Sequence, residues 1–239
     1  MISVVIATYN GSNYIKMQLN SILIQLNSFD EVVVIDDCST DDTVIKISGL
    51  NDPRIKLLKN ELNIGHVKSF EKGILACNGD IIFLSDQDDF WFPNKTEVMV
   101  NELKRNNFDL LISSYFISQN QGVVDKLSAQ QVKLRASNRL INLISIISGN
   151  NQYLGSLMCF TNSSIQKYLP FPDFIEAHDI YIASLFNIDF KVGHLNIPLV
   201  IRTLTGNNLT TSNRSLFKKI VSRIIFIRIL LFRFFQIEK

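Results

Sequence analysis

The chain has 239 residues, enough for one large α/β domain or two small ones. Apolar residues make up 46% of it and the formal net charge is only +2, which excludes a disordered chain and a nucleic-acid-coating one. Cys38, Cys77 and Cys159 are widely spaced and odd in number. They fit no disulfide framework and no cysteine metal site, and suit buried thiols in a reducing compartment. The N-terminus opens on a strand with no signal-peptide pattern, so a cytoplasmic body is expected.

ISVVIATYN reads as a buried strand ending at Thr8, Tyr9 and Asn10. Ile15, Leu19, Ile22, Leu23 and Leu26 then recur at helical spacing. EVVVIDDCSTDDT gives a second strand over Val32 to Ile35, ending in Asp36 and Asp37, with Ser39 or Thr40 placed to cap the next helix. Arg54 to Asn60 predicts a third, shorter strand, and VKSFEKGILACN a helix returning to GDIIFL, a fourth strand buried on both faces. Further on, a strand is predicted over Asp109 to Ser118 and a loop over QNQGVVDKLSAQQ. A helix follows over Leu140 to Ile147, then a strand over Tyr153 to Phe160 and a helix near HDIYIASLF.

Strand and helix in alternation predict an open, mostly parallel sheet, which binds ligands at the carboxyl ends of its strands. Three strand ends carry polar clusters, TYN, DDCSTDD and SDQDD, and these would meet on one edge. Neither GxGxxG nor a Walker loop is present. In FLSDQDDFW, Asp86, Asp88 and Asp89 crowd three carboxylates into four residues. Alone, that pattern is as consistent with a polar turn as with a metal site.

These clusters, in this order, resemble the family 2 glycosyltransferases, inverting enzymes of the GT-A fold, over roughly residues 1 to 210. SVVIATYN is similar to the family's opening strand, VVVIDDCSTDDT to its nucleoside-binding segment, and NIGHVKSFEKGILACNGDIIFLSDQDDFWFPNK to the stretch entering its DxD motif. The SDQDDFW form, with HDIYIASL downstream, most resembles bacterial rhamnosyltransferase-like members that build polysaccharides.

The resemblance implies an α/β GT-A fold: Rossmann-like, with a mostly parallel central sheet, helices on both faces and a C-terminal helical tail. It implies a nucleotide-sugar-binding part over 1–105, an acceptor-binding part over 106–212 and a basic apolar tail helix over 213–239. Asp88 becomes the metal ligand for Mg²⁺ or Mn²⁺, Asp86 lies by the ribose or metal, and Asp89 supports the shell. Asp37 reads the N3–H of uracil or thymine, while Asp36 either orients the loop or binds. Ala7, Thr8 and Tyr9 line the base pocket, although Tyr9 also suits core packing. Asp179 is the expected general base, with a helix N-cap as its rival role, and His178 either contacts the donor phosphate or packs. Lys68 reads as a surface group more readily than as a phosphate ligand. Relatives with SDQDD carry a histidine where Thr205 stands here in IRTLTGNNLT, and that histidine can complete the metal site.

The function so implied is transfer of a sugar from a dTDP- or UDP-linked donor, dTDP-rhamnose first, to a hydroxyl of a surface polysaccharide or lipid-linked precursor. Its rival is a catalytically impaired sugar-nucleotide-binding or assembly subunit, for which Thr205 is the main support. An acidic-pocket receiver domain also has carboxylates at strand ends, but it leaves the His178–Asp179 pair without a use. Ser215 to Phe235 is apolar but punctuated by Arg223, Arg228 and Arg233, which disfavours a membrane span. An interfacial helix at the inner membrane face is expected, with packing on protein as the alternative.

Overall fold

The computed structural model describes residues 1–118, 128–130, 138–148, 153–204, 223–229, 231 and 233. Its first half is built from β1 (Ile2–Thr8), α1 (Ile15–Leu23), β2 (Glu31–Asp36), α2 (Thr43–Ser48), β3 (Ile55–Lys59), α3 (Gly65–Leu75) and β4 (Ile81–Ser85). Then come β5 (Phe90–Trp91), α4 (Lys95–Arg105), β6 (Leu110–Ser118), β7 (Ser128–Gln130), α5 (Arg139–Ser148), β8 (Met158–Thr161), α6 (Asn162–Ile165), α7 (His178–Asp189) and β9 (Val192–Thr203).

The strands form a nine-stranded sheet in the order β3-β2-β1-β4-β8-β6-β9-β5, with β7 beside β6. β1, β2, β3 and β4 are mutually parallel; β1, β2 and β4 carry the apolar runs of strands covered on both faces, while β3, IKLLK, is the half-exposed edge. Val4, Val5, Ile6, Val32 to Ile35 and Ile82 to Leu84 are all wholly buried. Because β2 lies on one side of β1 and β4 on the other, chain direction across the sheet switches between β1 and β4. That switch opens a crevice at the strands' carboxyl ends. β8 then runs antiparallel to both β4 and β6, and β9 runs parallel to β6.

Several expectations need correction. Ser39 and Thr40 do not cap α2: the cap position is Asp42, and the carboxylate of Asp41 accepts the Thr43 amide at 3.0 Å. Ser39 and Thr40 are occupied with Asn10 instead, Ser39 Oγ accepting its amide and the Thr40 amide donating to its side chain. Tyr153 to Phe160 is a strand only from Met158, because Gly155–Leu157 closes a 3₁₀ turn. Ser128–Gln130, in the expected loop, pairs with β6 as β7; the rest of that stretch, 119–127 and 131, lies outside the described residues. α4, β5 and β9 carry no clear sequence signal.

The described part of the C-terminal tail packs on the body through one side. Residues 223–229 are helical, and Phe226 and Ile229 are buried against the body while Ile224 and Ile227 stand exposed. Arg233 turns inward to Asp189 at 2.5 Å, which explains why its charge does not fit a two-faced wheel. The rest of the expected 213–239 helix lies outside the described residues. Among the described residues no helix is long and apolar enough to cross a membrane.

Candidate active site

The three polar strand ends meet, and a single amide side chain joins two of them. Gln87 Oε1 accepts from Thr8 Oγ1 at 2.6 Å and from the Tyr9 amide at 3.0 Å, while its Nε2 donates to the Tyr9 carbonyl. Gly11 makes room for it, since a Cβ there would lie 2.2 Å from Gln87 Oε1. Asn10, at a φ of 48°, carries the other link through Ser39 and Thr40 to the β2 end. The ends of β1, β2 and β4 are therefore one bonded unit. Gln87 read only as a spacer in SDQDD; its place between two acids was the available signal.

Asp86, Asp88 and Asp89 each offer a carboxylate oxygen within 4.8 Å of the others. Asp89 is buried and its Oδ2 has no hydrogen-bond partner. Burial pushes the Asp88 carboxyl up to about 6, and the neighbouring Asp86 charge adds to it. Burial, then Asp86 and Asp88, push Asp89 up in the same direction. An all-oxygen donor set with an orphaned buried oxygen and mutual repulsion fits a hard divalent cation, which would relieve all three.

Two cations stand near the acids that sequence reasoning missed. Arg202 follows Ile201, which pairs with Phe90 across β9 and β5, so it lies beside Asp89 and its charge opposes the rise of both Asp88 and Asp89. Lys95 is wholly buried, donates to the Ser156 carbonyl at 2.8 Å and sits 3.7 Å from the centre of the Trp91 ring. Burial pulls its amine down to about 7, against the opposing charge of Asp89. Lys95→Met should test this. The unfolded chain takes up a proton that the folded one does not between pH 7 and 10, so wild-type stability gains on the variant as pH rises through that window. Melting temperatures of both proteins across it check the sign.

Asp37 is buried and capped on all sides. Its Oδ1 accepts from Asn60 Nδ2 at 2.8 Å and the Ile64 amide at 2.9 Å, and its Oδ2 from the Gly65 amide at 2.9 Å. It thereby satisfies donors at the start of α3. Asp36, also buried, accepts the Ser39 amide through Oδ2 and has no partner at Oδ1. Ala7 is half-buried and Thr8 buried, while Tyr9 is 47% exposed at the crevice mouth, which rules out core packing for it.

In the second half of the chain, Asp179 lies in the first turn of α7, its Oδ1 accepting the Ile180 amide at 2.8 Å. The cap position is Ala177, so Asp179 is not the N-cap; the helix begins two residues earlier than an Asp179 cap would have it. His178 is buried, stacked on Phe70 at 4.0 Å, with no hydrogen bond to either ring nitrogen. Burial pulls it down to about 3, helped by His66, whose ring lies 5.7 Å away, while Asp86 opposes the fall. α7 therefore starts against the acidic loop. Lys68 is held elsewhere, by Glu71, Asp173 and the Phe171 carbonyl. Thr205 and the GNN segment, Gly206 to Asn208, lie outside the described residues.

Known proteins agree with this geometry. The profile of glycosyl transferase family 2 matches residues 3–164, spanning the three strand ends and the acidic loop. The chain belongs to glycosyl transferase family 2. Among relatives of this glycosyltransferase, WfgD of Escherichia coli is 29% identical over 200 residues, covering 84% of this chain and 75% of that protein. WfgD is a UDP-Glc:alpha-D-GlcNAc-diphosphoundecaprenol beta-1,3-glucosyltransferase. An uncharacterized glycosyltransferase of Nostoc is 31% identical over 170 residues, covering 70% of this chain and 50% of its own length. S. aureus TarS 1-349, solved with UDP-GlcNAc, superposes with a TM-score of 0.76 at 20% identity, covering 96% of this chain and 66% of that one. The mannosyltransferase PcManGT of Pyrobaculum calidifontis, solved with GDP-Man and Mn2+, gives 0.62 at 18% identity, covering 84% and 56%. At these identities the structural likeness speaks to the fold, which is GT-A-like.

Proposed function

We propose that this glycosyltransferase moves one sugar from a uridine or thymidine diphosphate donor to a hydroxyl of a surface polysaccharide or its lipid-linked precursor, with inversion, at the inner face of a membrane. The carrying observation is the bonded unit of β1, β2 and β4 ends around three clustered carboxylates. The donors named for WfgD and TarS are UDP-linked, which favours a UDP-sugar over the dTDP-rhamnose suggested by sequence resemblance.

In this reading the base lies between Tyr9 and the β2 end, with Ala7 and Thr8 as the floor. Asp37 accepts the pyrimidine N3–H through Oδ2, the oxygen with one protein partner. Asp86 would sit by the ribose, and Asp88, with Asp89 as support, would hold Mg²⁺ or Mn²⁺ for the diphosphate. When bound, the ion stabilises charge on the leaving diphosphate as a Lewis acid. His178, neutral and unbonded, faces the donor phosphates from the far side. Asp179 takes the proton of the acceptor hydroxyl as its oxygen bonds to the anomeric carbon and the carbon–diphosphate bond breaks, the electron pair leaving with the phosphate. Over the first turn of α7, Ile180's amide holds that carboxylate in one orientation.

Calorimetry with UDP- and dTDP-sugars, with and without Mn²⁺, tests the reading. Metal-requiring binding of one of them is expected. No binding to any, in folded protein, would overturn it; binding without transfer or hydrolysis would favour the impaired-subunit reading that Thr205 suggests.

The two β2 acids separate in the same assay. Asp37→Asn should weaken donor binding and also lower stability by about 1 kcal/mol, because both carboxylate oxygens accept N–H bonds and the amide NH2 would face a donor. Asp36→Asn should leave pyrimidine binding within about threefold. Loss of binding in Asp36→Asn alone would move base recognition to its unpartnered oxygen.

A further inference from the structure

We propose that α5 and the C-terminal helical residues 223–229 form one basic apolar face that seats this protein on an anionic lipid bilayer. Along α5, Leu140, Ile141, Ile144 and Ile147 are exposed, with Leu140 at 68%, while Asn142 and Ile146 turn into the protein. On the C-terminal segment Ile224, Ile227 and Leu231 face outward, opposite the buried Phe226 and Ile229. The two stripes adjoin, since Arg223 Nε donates to the Ile147 carbonyl at 3.4 Å. Seven large apolar side chains thus gather on two short neighbouring segments, too many for scattered surface residues.

Within the described residues of the two segments the charge has one sign. Neither α5 nor the described C-terminal residues contain a carboxylate, and Arg139, Arg223 and Arg228 stand among the isoleucines. Arg233 is excluded from this set because Asp189 neutralises it. Arg228, itself exposed, stacks its guanidinium over the Phe174 ring at 4.2 Å, which holds that charge at the edge of the apolar face. Apolar side chains ringed by arginines suit the headgroup boundary, where the stems bury and the guanidinium groups meet lipid phosphate. Three arginines set among these apolar side chains, with no carboxylate on either segment, match an anionic bilayer better than a neutral one.

The placement has a use that rests on the proposed acceptor. α5 packs on α7 through Asn142 Nδ2 and Asn187 Oδ1 at 3.0 Å, and α7 carries Asp179 in its first turn. A bilayer on the outer face of α5 therefore lies one helix away from α7, the helix whose first turn offers the base to a lipid-linked hydroxyl.

Co-sedimentation of the full chain with phosphatidylglycerol–phosphatidylcholine vesicles, beside pure phosphatidylcholine vesicles, tests the face without any transfer assay. Binding to the anionic vesicles at least tenfold stronger than to the neutral ones, and weakened by salt, is expected. The triple variant Ile144→Glu, Ile147→Glu, Ile224→Glu should lose that binding tenfold or more, with donor binding and melting temperature unchanged. Arg223→Gln with Arg228→Gln should lose the anionic preference by a smaller factor. Wild-type protein that stays in the supernatant with anionic vesicles overturns the proposal, as does a triple variant that binds like wild type. A dimer in light scattering that the glutamates dissolve, with no vesicle binding, also overturns it and makes the face an interface between copies. Failure of sugar transfer leaves the vesicle result standing, so the two readings fall separately.

Discussion

Replacing Asp88 with Asn is expected to abolish metal-requiring donor binding and yet to raise the melting temperature of the metal-free protein at pH 8. The two signs come from the same crowding. Burial and the Asp86 charge raise the Asp88 carboxyl to about 6, so the folded state holds a proton that the unfolded chain releases near pH 4. Stability is therefore lost as pH rises through that interval, and at pH 8 the ionised group works against the fold. An amide of the same shape removes that penalty. It also removes a ligand, and Lewis-acid stabilisation of a leaving diphosphate is worth several kcal/mol, so kcat/KM should fall at least about a hundredfold. Thermal melts with and without Mn²⁺ read both effects: wild type gains from the ion, and the variant should not. A variant that still melts higher with Mn²⁺ would place the ion elsewhere. Wild-type Mn²⁺ affinity should also weaken as pH falls through about 6, because protons compete for the same oxygen.

The parts of this fold that were legible in sequence are those whose burial is two-sided. β1, β2 and β4 are uninterrupted Val, Ile, Leu and Phe runs because helices cover both faces, and such runs announce themselves without knowledge of their partners. β9 does not, since Gly193, His194, Asn196 and Pro198 break its period. It is a strand because β6 supplies a parallel partner whose register shifts around Ser114 to accommodate the break. β5 is two residues long and is defined only by its pairing with β9.

The candidate site divides along the same line. Its carboxylates lie close together in sequence and could be found by pattern. Gln87, Arg202 and Lys95 act through contacts with residues far along the chain, and only Gln87, set between two acids, carries a local hint of its role. Asp37 shows the limit of pattern from the other side: the carboxylate is where the motif puts it, but three hydrogen bonds to Asn60, Ile64 and Gly65 make it a structural cap as well. A motif names the residue type at a position and leaves its division of labour to the fold.

Asp179→Asn carries the largest expected effect on chemistry with the least on structure. Its Oδ1 accepts the Ile180 amide, and an asparagine oxygen can accept the same bond, so α7 keeps its first turn. The helix start rests on Ala177 and not on this side chain, so little stability depends on it. What disappears is basicity. General-base assistance contributes roughly 10²–10⁴-fold, and transfer should fall by that factor. Donor affinity should stay within about twofold, because the proposed donor contacts of Asp37, Asp86 and Asp88 lie on other strand ends. A structural role would show the opposite split, with lower melting temperature and weaker donor binding but preserved turnover per folded molecule. The pH profile separates them further: the acidic limb of kcat/KM should vanish in the variant if Asp179 is the proton acceptor. Turnover within tenfold of wild type, with that limb intact, would remove Asp179 from the reaction and leave its place at the mouth to positioning alone.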